Sequence, residues 1–476
     1  MTAVVPKQNF GKSWAVTICQ VLGSSALGIG MFKAMTTYML IMVYFAPTGL
    51  TPEIYGGVTG VISLLALTTS IPGGMLIAKI GAANLAKLCM LLFIIGYALS
   101  CAYLLALGRS ADFVVMTVLG AVTTIGGGAM PVAGTTLVSA WFPPKKRPLP
   151  MGCCGMFVPV SLIIVQYLSS PIIAMASTEG FTADEIAACF GQSPAGFVTF
   201  TVAITIYAII VCIIAMVVIR NPKPQESFLG VTAATENTGG GQQEFSDGSW
   251  KEGFTNIGVW LMVIVFCCYS FGSTCYANYW PTYVESAPAQ GGFMIDPATV
   301  NMMTTAVTYS MIAVSLIVGY LLTKVHRDYW WILILICAIA ICFNGVFLFL
   351  IPFAGFIVPF LIFYGCLQEL WPCTTYTLVP EMVDTPKGLG TALGLVSFTM
   401  SFAGTICSAI AGVIIGGQGL TQIPPTGSWN ALATLTGTGG VIALIAGIGA
   451  LFYWRKRWAT LKARAAALEA QAAAQA

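Results

Sequence analysis

Residues 196–219 read GFVTFTVAITIYAIIVCIIAMVVI, and residues 220–253 continue RNPKPQESFLGVTAATENTGGGQQEFSDGSWKEG. The first stretch carries no charged side chain and is long enough, at the ~20 apolar residues required, to cross a bilayer as a helix. The second is polar and rich in Gly, Pro and Ser, the composition of a flexible connector. Runs like the first recur throughout the chain, at about 14–45, 53–78, 84–107, 112–140, 149–176 and 196–219 before the connector. They resume at 256–284, 299–323, 329–351, 355–383, 388–416 and 430–454 after it. The connector therefore divides twelve apolar spans into six and six.

Composition supports the same reading. Only 8% of the 476 residues are Asp, Glu, Lys or Arg, and 57% are hydrophobic. A water-soluble domain carries roughly a quarter charged residues, so this chain lacks the polar surface to stay dissolved. Barrel strands alternate polar and apolar residues over only ~10 positions, which these runs do not do. The expected fold is an all-α membrane protein of twelve transmembrane helices, arranged as two six-helix bundles related by pseudo-two-fold symmetry. Its parts are an N-terminal bundle (1–220), a flexible cytoplasmic linker (221–253), a C-terminal bundle (254–458) and a cytoplasmic tail (459–476). The tail is Ala-rich with basic residues near the membrane and predicts a short helix resting on anionic headgroups.

Charge sidedness sets the orientation. Lys7, Lys12, Lys79, Lys87, Lys145, Lys146, Arg147, Arg220, Lys223, Lys251, Lys324, Arg327, Lys387 and five basic residues from Arg455 to Arg464 all fall on one side. The other side holds Arg109 among Glu53, Asp112, Glu179, Asp184, Glu185, Glu285 and Asp296. The positive-inside rule then places both termini in the cytoplasm, with the protein in the cytoplasmic (inner) membrane. The net charge of +3 hides this asymmetry and gives no reason to expect a nucleic-acid partner. The first span is too long for a signal-peptide core and reads as a retained helix.

The fifteen cysteines lie almost all inside spans, where they act as small apolar fillers. Cys189 is the clear exception, in an outer loop. With a single histidine, His326, and no C-x-x-C, neither a metal nor a redox cofactor is expected.

The two halves repeat short motifs. Gly74-Met-Leu-Ile-Ala-Lys-Ile-Gly81 follows span 2, and Gly319-Tyr-Leu-Leu-Thr-Lys-Val-His326 follows span 8. WFPPKKRPLPMG (141–152) and PEMVDTPKGLGTALG (380–394) follow spans 4 and 10. Duplicated six-helix halves are the mark of transporters that rock about a midplane site.

On these motifs the chain resembles the major facilitator superfamily, over residues 10–458. The family's loop motif, G-x-L-x-D-R-x-G-R-R, is kept at Gly74, Leu76, Lys79 and Gly81. It is lost at Ala78, where the family has an Asp of its cytoplasmic charge-relay latch, and at Ala82 and Ala83. The resemblance makes Gly74, Lys79, Gly81, Gly319 and Lys324 conformational-motif residues. The WFPPKKR stretch is similar to organic-anion branches such as the oxalate/formate and anion–cation symporters. The basic residues that the oxalate branch carries in helices 8 and 11 are absent here, as is the antiporter signature of helix 5. The resemblance also implies that helices 1, 4, 7 and 10 line the central cavity.

Two charges sit where they are expensive: Lys33 in span 1 and Glu369 in span 10. A charge at mid-bilayer costs at least ~2.5–3.5 kcal/mol by insertion scales and generally marks a pathway. Lys33 would bind an anionic substrate group, and Glu369 would carry a coupling proton. The plainer alternatives are a structural ion pair, or Lys33 snorkelling toward the interface. In span 10, Gly365, Glu369, Pro372 and Tyr376 share one helix side beside Gln368, and Pro372 frees a backbone carbonyl. In span 7, Tyr269, Ser273, Tyr276, Trp280 and Tyr283 form a stripe with Asn278 alongside. Tyr269 and Tyr276 are deep enough for the cavity, while Trp280 and Tyr283 read as outer-interface residues. Span 4 shows a small-residue face at Gly120, Thr124, Gly127, Pro131 and Gly134, open to close packing or to ligand volume. Gln20 and Gln166 are isolated polar groups. The candidate substrate site is thus Lys33, Glu369, Gln368, Tyr269, Tyr276, Asn278, Thr124 and Gln166.

The function expected is secondary transport of a small organic anion by a monomer, by proton coupling or exchange. The alternative is an exporter of hydrophobic or cationic compounds, with Glu369 binding the cation. A membrane enzyme would need a nucleophile–base pair or metal ligands inside the bilayer, and an ATP-driven pump would need a G-x-x-x-x-G-K-[ST] loop. The sequence has neither.

Overall fold

The computed structural model describes residues 9–189, 191–223, 226–229, 249–286, 288, 291–414 and 428–475. Every regular element among them is helical. The helices are α1 (Phe10–Phe45), α2 (Pro52–Ile80), α3 (Ala82–Leu107), α4 (Phe113–Trp141), α5 (Pro148–Gly155), α6 (Phe157–Ala174), α7 (Ala183–Ala188) and α8 (Gly196–Val218). They continue with α9 (Lys251–Thr255), α10 (Ile257–Glu285), α11 (Pro297–Lys324), α12 (Trp330–Phe347), α13 (Ile357–Met382), α14 (Pro386–Ile414) and α15 (Ser428–Gln475). Twelve candidate spans among the described residues are long and apolar enough to cross a membrane, matching the number expected.

Local chemistry sets several ends. Thr51 caps α2 by accepting from Ile54 N, with Pro52 at the first helical position. Asp112 accepts from Val114 N and Val115 N to start α4. Asp296 does the same for α11 through Thr299 N. Each supplies an acceptor for backbone N–H groups that the first turn leaves unbonded. Gly81 joins α2 to α3 with φ of +81°, a backbone region that side chains with a Cβ rarely enter.

The structure refines three expectations. Span 5 is two helices, α5 and α6, joined at Met156. The tail is not a separate short helix, because α15 runs unbroken from the membrane through Gln475. Its stretch 457–462 is tied to the C-terminal half: Arg457 meets Asp384 at 2.7 Å, Lys462 meets Asp328 at 2.8 Å, and Trp458 Nε1 donates to Asp328 at 2.6 Å. The connector is ordered at both ends. Phe228 and Leu229 are buried and Phe228 N donates to Ala140 O, while Glu252 accepts from Asp384 N and Thr385 N. Residues 230–248, like Lys7, lie outside the described residues.

The first half packs α1 against α4, α6 and α8, and α3 against α4 and α8. The second packs α15 against α10 and α12, and α11 against α13. The halves meet where α2 lies on α14 and where α5 lies on α11 and α13. At the first contact a Cβ on Gly74 would run into the Gly390 carbonyl, and one on Gly390 into the Gly74 carbonyl. At the second, a Cβ on Gly152 would come 2.7 Å from Ser315 O, and one on Gly319 3.0 Å from Leu149 Cα. Gly74 and Gly319, the matched motif glycines, thus each sit in a bundle-to-bundle contact. Lys79 and Lys324 are exposed, with Lys324 over the Tyr320 ring.

Candidate functional site

Glu369 lies on α13 at the second contact and is only 3% exposed. Its neighbour across the bundle interface is Gly155, where a Cβ would fall 2.7 Å from Oε2. Glycine at this position leaves the room the carboxylate occupies. The Ser315 hydroxyl of α11 is beside it. Lys33 is half-buried on α1, in the other bundle.

Next to Glu369, the break at Pro372 has a visible consequence. Proline has no N–H to donate to the carbonyl four residues earlier, which is that of Gln368. Tyr269 of α10 supplies the missing donor: its hydroxyl lies 2.7 Å from Gln368 O. The same phenol is 2.8 Å from the Gln368 side-chain amide at Oε1, and Ser273 Oγ is 2.9 Å from that atom. One turn before Gln368, the Tyr364 ring packs on Tyr276 with centroids 4.0 Å apart, and Tyr276 also meets Trp280 at 5.3 Å. The hydroxyl of Tyr276 and the Nε2 of Gln368 are buried and without a hydrogen-bond partner among the described residues. Aromatic walls with a few convergent polar groups are the usual make-up of a small-molecule site.

The structure thus brings Tyr269, Tyr276, Gln368 and Glu369 onto adjoining faces of α10 and α13, and adds Ser273 and Tyr364. The side chains of Asn278 and Gln166 lie outside the described residues. Thr124 is half-buried on α4. The glycines around it serve packing: Cβ atoms on Gly126, Gly127 and Gly134 would meet Phe93 and Cys89, Leu27, and Gln20. Gln20 is buried, with Nε2 near Ser24 Oγ and Met130 Sδ. Trp280 and Tyr283 correct the expectation of interface residues: they are 0% and 2% exposed. Tyr283 packs edge-on against Trp429 and Phe349, and its hydroxyl accepts from Ile351 N. Their place along the helix suggested an interface, but neighbouring helices cover that height.

A second polar centre was not singled out from sequence. On the side of the basic loops, Glu381 at the end of α13 faces two guanidiniums, Arg147 at 4.0 Å and Arg327 at 3.5 Å. Arg147 and Glu381 are almost fully buried, and Arg327 nearly so. Arg147 belongs to the first half and also donates to Ser139 O. Arg327, from the second half, donates across to Pro144 O at 2.6 Å and lies over the Trp330 ring. Two of these links cross between bundles. The available signal was a carboxylate in the last turn of span 10, in a chain with few charges, opposite the KKR run.

The opposite rim is simpler. Arg109 meets Glu185 at 2.6 Å and donates to Gly180 O, within one bundle. The backbone N–H of Thr182 and then Arg109 hold the Glu185 carboxyl below its ordinary range. Among the described residues no cluster of His, Cys, Asp and Glu suits a metal ion.

Two six-helix bundles meeting around buried polar groups define a membrane transporter of the rocking type. The Major Facilitator Superfamily sequence profile matches residues 22–385, and the chain belongs to that family of transporters. No curated protein sequence matches it. In fold it is similar to the proton:xylose symporter XylE, with TM-score 0.69 and 16% identity over 94% of this chain and 96% of that one. It is also similar to the E. coli fucose:proton symporter FucP, at 0.62 and 14% over 94% and 98%. The human organic anion transporter MFSD10 follows at 0.59 and 12% over 92% and 99%.

Proposed function

We propose that this transporter moves a small organic anion, a carboxylate, across the cytoplasmic membrane by alternating access, with proton coupling or exchange. The observation that supports this is Glu369, a carboxylate kept inside a span at the bundle interface, with Lys33 as the intramembrane cation of the other half. A carboxylate buried there persists only with a proton, a partner or water. In this reading Lys33 receives the anionic group and Glu369 takes up and releases the proton as the bundles rock. Tyr269, Tyr276, Gln368, Asn278, Thr124 and Gln166 complete the site. Gly74, Gly81, Gly319, Lys79 and Lys324 serve the conformational change. The protein works as a monomer with both termini in the cytoplasm, and the 221–253 linker joins bundles 1–220 and 254–458.

A second reading draws on the stacked aromatic side chains Tyr276, Tyr364 and Trp280: they could take a hydrophobic cation whose charge Glu369 neutralises. Uptake driven by an imposed carboxylate gradient supports the first reading, and a drug-resistance phenotype without such uptake supports the second.

The decisive test is a double-mutant cycle of Lys33→Met and Glu369→Gln. Carboxylate binding is read as thermal stabilisation of the purified protein, since a ligand that binds only the folded state raises its melting temperature. If Lys33 binds substrate, the double variant folds and loses stabilisation by carboxylates. Retained binding in the double variant would leave only a structural ion pair.

A further inference from the structure

We infer that Gln368 presents its amide carbonyl to the substrate, held in that orientation by Tyr269 and Ser273, and that it reads a hydroxyl group on the transported carboxylate. The inference rests on the organic-anion reading above.

Proton counting carries it. A phenol has one proton. That of Tyr269 is taken by the Gln368 backbone carbonyl at 2.7 Å, which Pro372 has deprived of its helical donor. Toward the side-chain amide, 2.8 Å away, Tyr269 then offers only lone pairs. Ser273 Oγ lies 2.9 Å from the same end of the amide. With the amide oxygen at that end, Ser273 alone could donate to it. The NH2 group would be left with both protons unbonded, in a side chain only 8% exposed. A half-turn about the terminal bond places the NH2 against the two hydroxyl oxygens and satisfies both protons. The two ends of the amide have nearly the same shape, so the hydrogen-bond network decides between them. What remains unbonded is one carbonyl oxygen, a lesser cost than an orphaned buried donor.

That oxygen needs a donor from outside the protein. Nearby on α10, the hydroxyl of Tyr276 is also buried and unpartnered among the described residues, and a phenol can donate or accept. A carbonyl acceptor among phenols best matches a group that both donates and accepts. A hydroxyl does both. An ammonium only donates, and a carboxylate only accepts. Ser273 and Tyr269 are positioning residues in this arrangement, and Gln368 sets specificity.

The test uses the purified full chain and acids matched by carbon number: propionate, lactate and alanine, then the corresponding four- and six-carbon sets. Affinity is taken from the concentration dependence of thermal stabilisation. The hydroxy acid should bind about 3–10-fold tighter than its unsubstituted partner, the worth of one net hydrogen bond. Gln368→Met should bring that ratio to near one. Ser273→Ala should lower the ratio and Ser273→Thr, which keeps the oxygen, should restore it. The serine pair decides the matter if Gln368→Met does not fold. An acid that binds without hydroxyl preference, a preference for the amino acid, or a ratio unmoved by these variants would overturn the inference alone. Failure of every acid to stabilise the wild type would overturn the organic-anion reading with it.

Discussion

The two rims of this protein use the same chemistry to different ends. On the side of the basic loops, Arg147 and Arg327 close on Glu381 in a buried cluster that joins one bundle to the other. On the opposite rim, Arg109 and Glu185 form a shorter ion pair, but a part-exposed one within a single bundle. Distance alone would rank the second as stronger. Burial and connectivity reverse the order. An exposed pair is worth about 0–1 kcal/mol, whereas removing one member of a buried cluster strands the remaining charges at about 3–5 kcal/mol. Only the first can bias the balance between two arrangements of the bundles, because only it breaks when they separate.

The largest effect should follow from Glu381→Gln. It leaves two buried guanidiniums uncompensated in the state closed on this side, so that state should lose about 3–5 kcal/mol and the rim should open. Spin labels placed at Lys79 and Lys324, exposed residues of the two halves, should report a longer distance. An unchanged distance distribution would remove the cluster from the gating role. Arg109→Ala should leave the same distance untouched.

A somewhat smaller effect is expected from packing. Gly74 and Gly390 approach backbone to backbone, so Gly74→Leu must push α2 and α14 apart, at about 1–3 kcal/mol for overpacking. The same spin-label pair should lengthen, and transport should slow because closure is hindered. Gly57→Leu, on the same helix but where a Cβ meets nothing within 4 Å, should do neither.

The smallest effect belongs to the opposite rim. Glu185 is held below its ordinary pKa of 4.5 by the Thr182 N–H and by Arg109. A carboxyl with a lowered folded value contributes stability that is complete above the ordinary value. That stability is lost as pH falls through the lowered value. Amide exchange in residues 177–189 should therefore accelerate only below about pH 4.5, with the bundles unaffected. Acceleration near neutral pH would assign the loop's order to something other than this carboxylate.

Much of this could be read in the chain. The apolar runs gave the twelve spans, the motif echo at Gly74 and Gly319 gave the two halves, and Pro372 announced a freed carbonyl near the site. Glu369, Gln368, Tyr269 and Tyr276 stood out because polar groups inside a span are costly. Ser273 stood out as part of the span 7 stripe but not of the site, since a serine in a helix can satisfy itself on its own backbone; its partner Gln368 is 95 residues away. Trp280 and Tyr283 were misplaced because an aromatic stripe has the same spacing whether it faces lipid or a neighbouring helix.

The sequence by itself determined that the protein lives in a membrane, how many times its helices are long enough to cross, and which side carries the basic loops. Those follow from the composition of segments about twenty residues long, which needs no knowledge of neighbours. Only the tertiary structure decided which charges meet. Arg147, Arg327 and Glu381 come from three separate loops and helix ends. Tyr269, Ser273 and Gln368 come from two helices whose relative rotation no local pattern fixes. Hydrogen bonds and ion pairs act over about 3–4 Å, so their partners are chosen by how the helices pack.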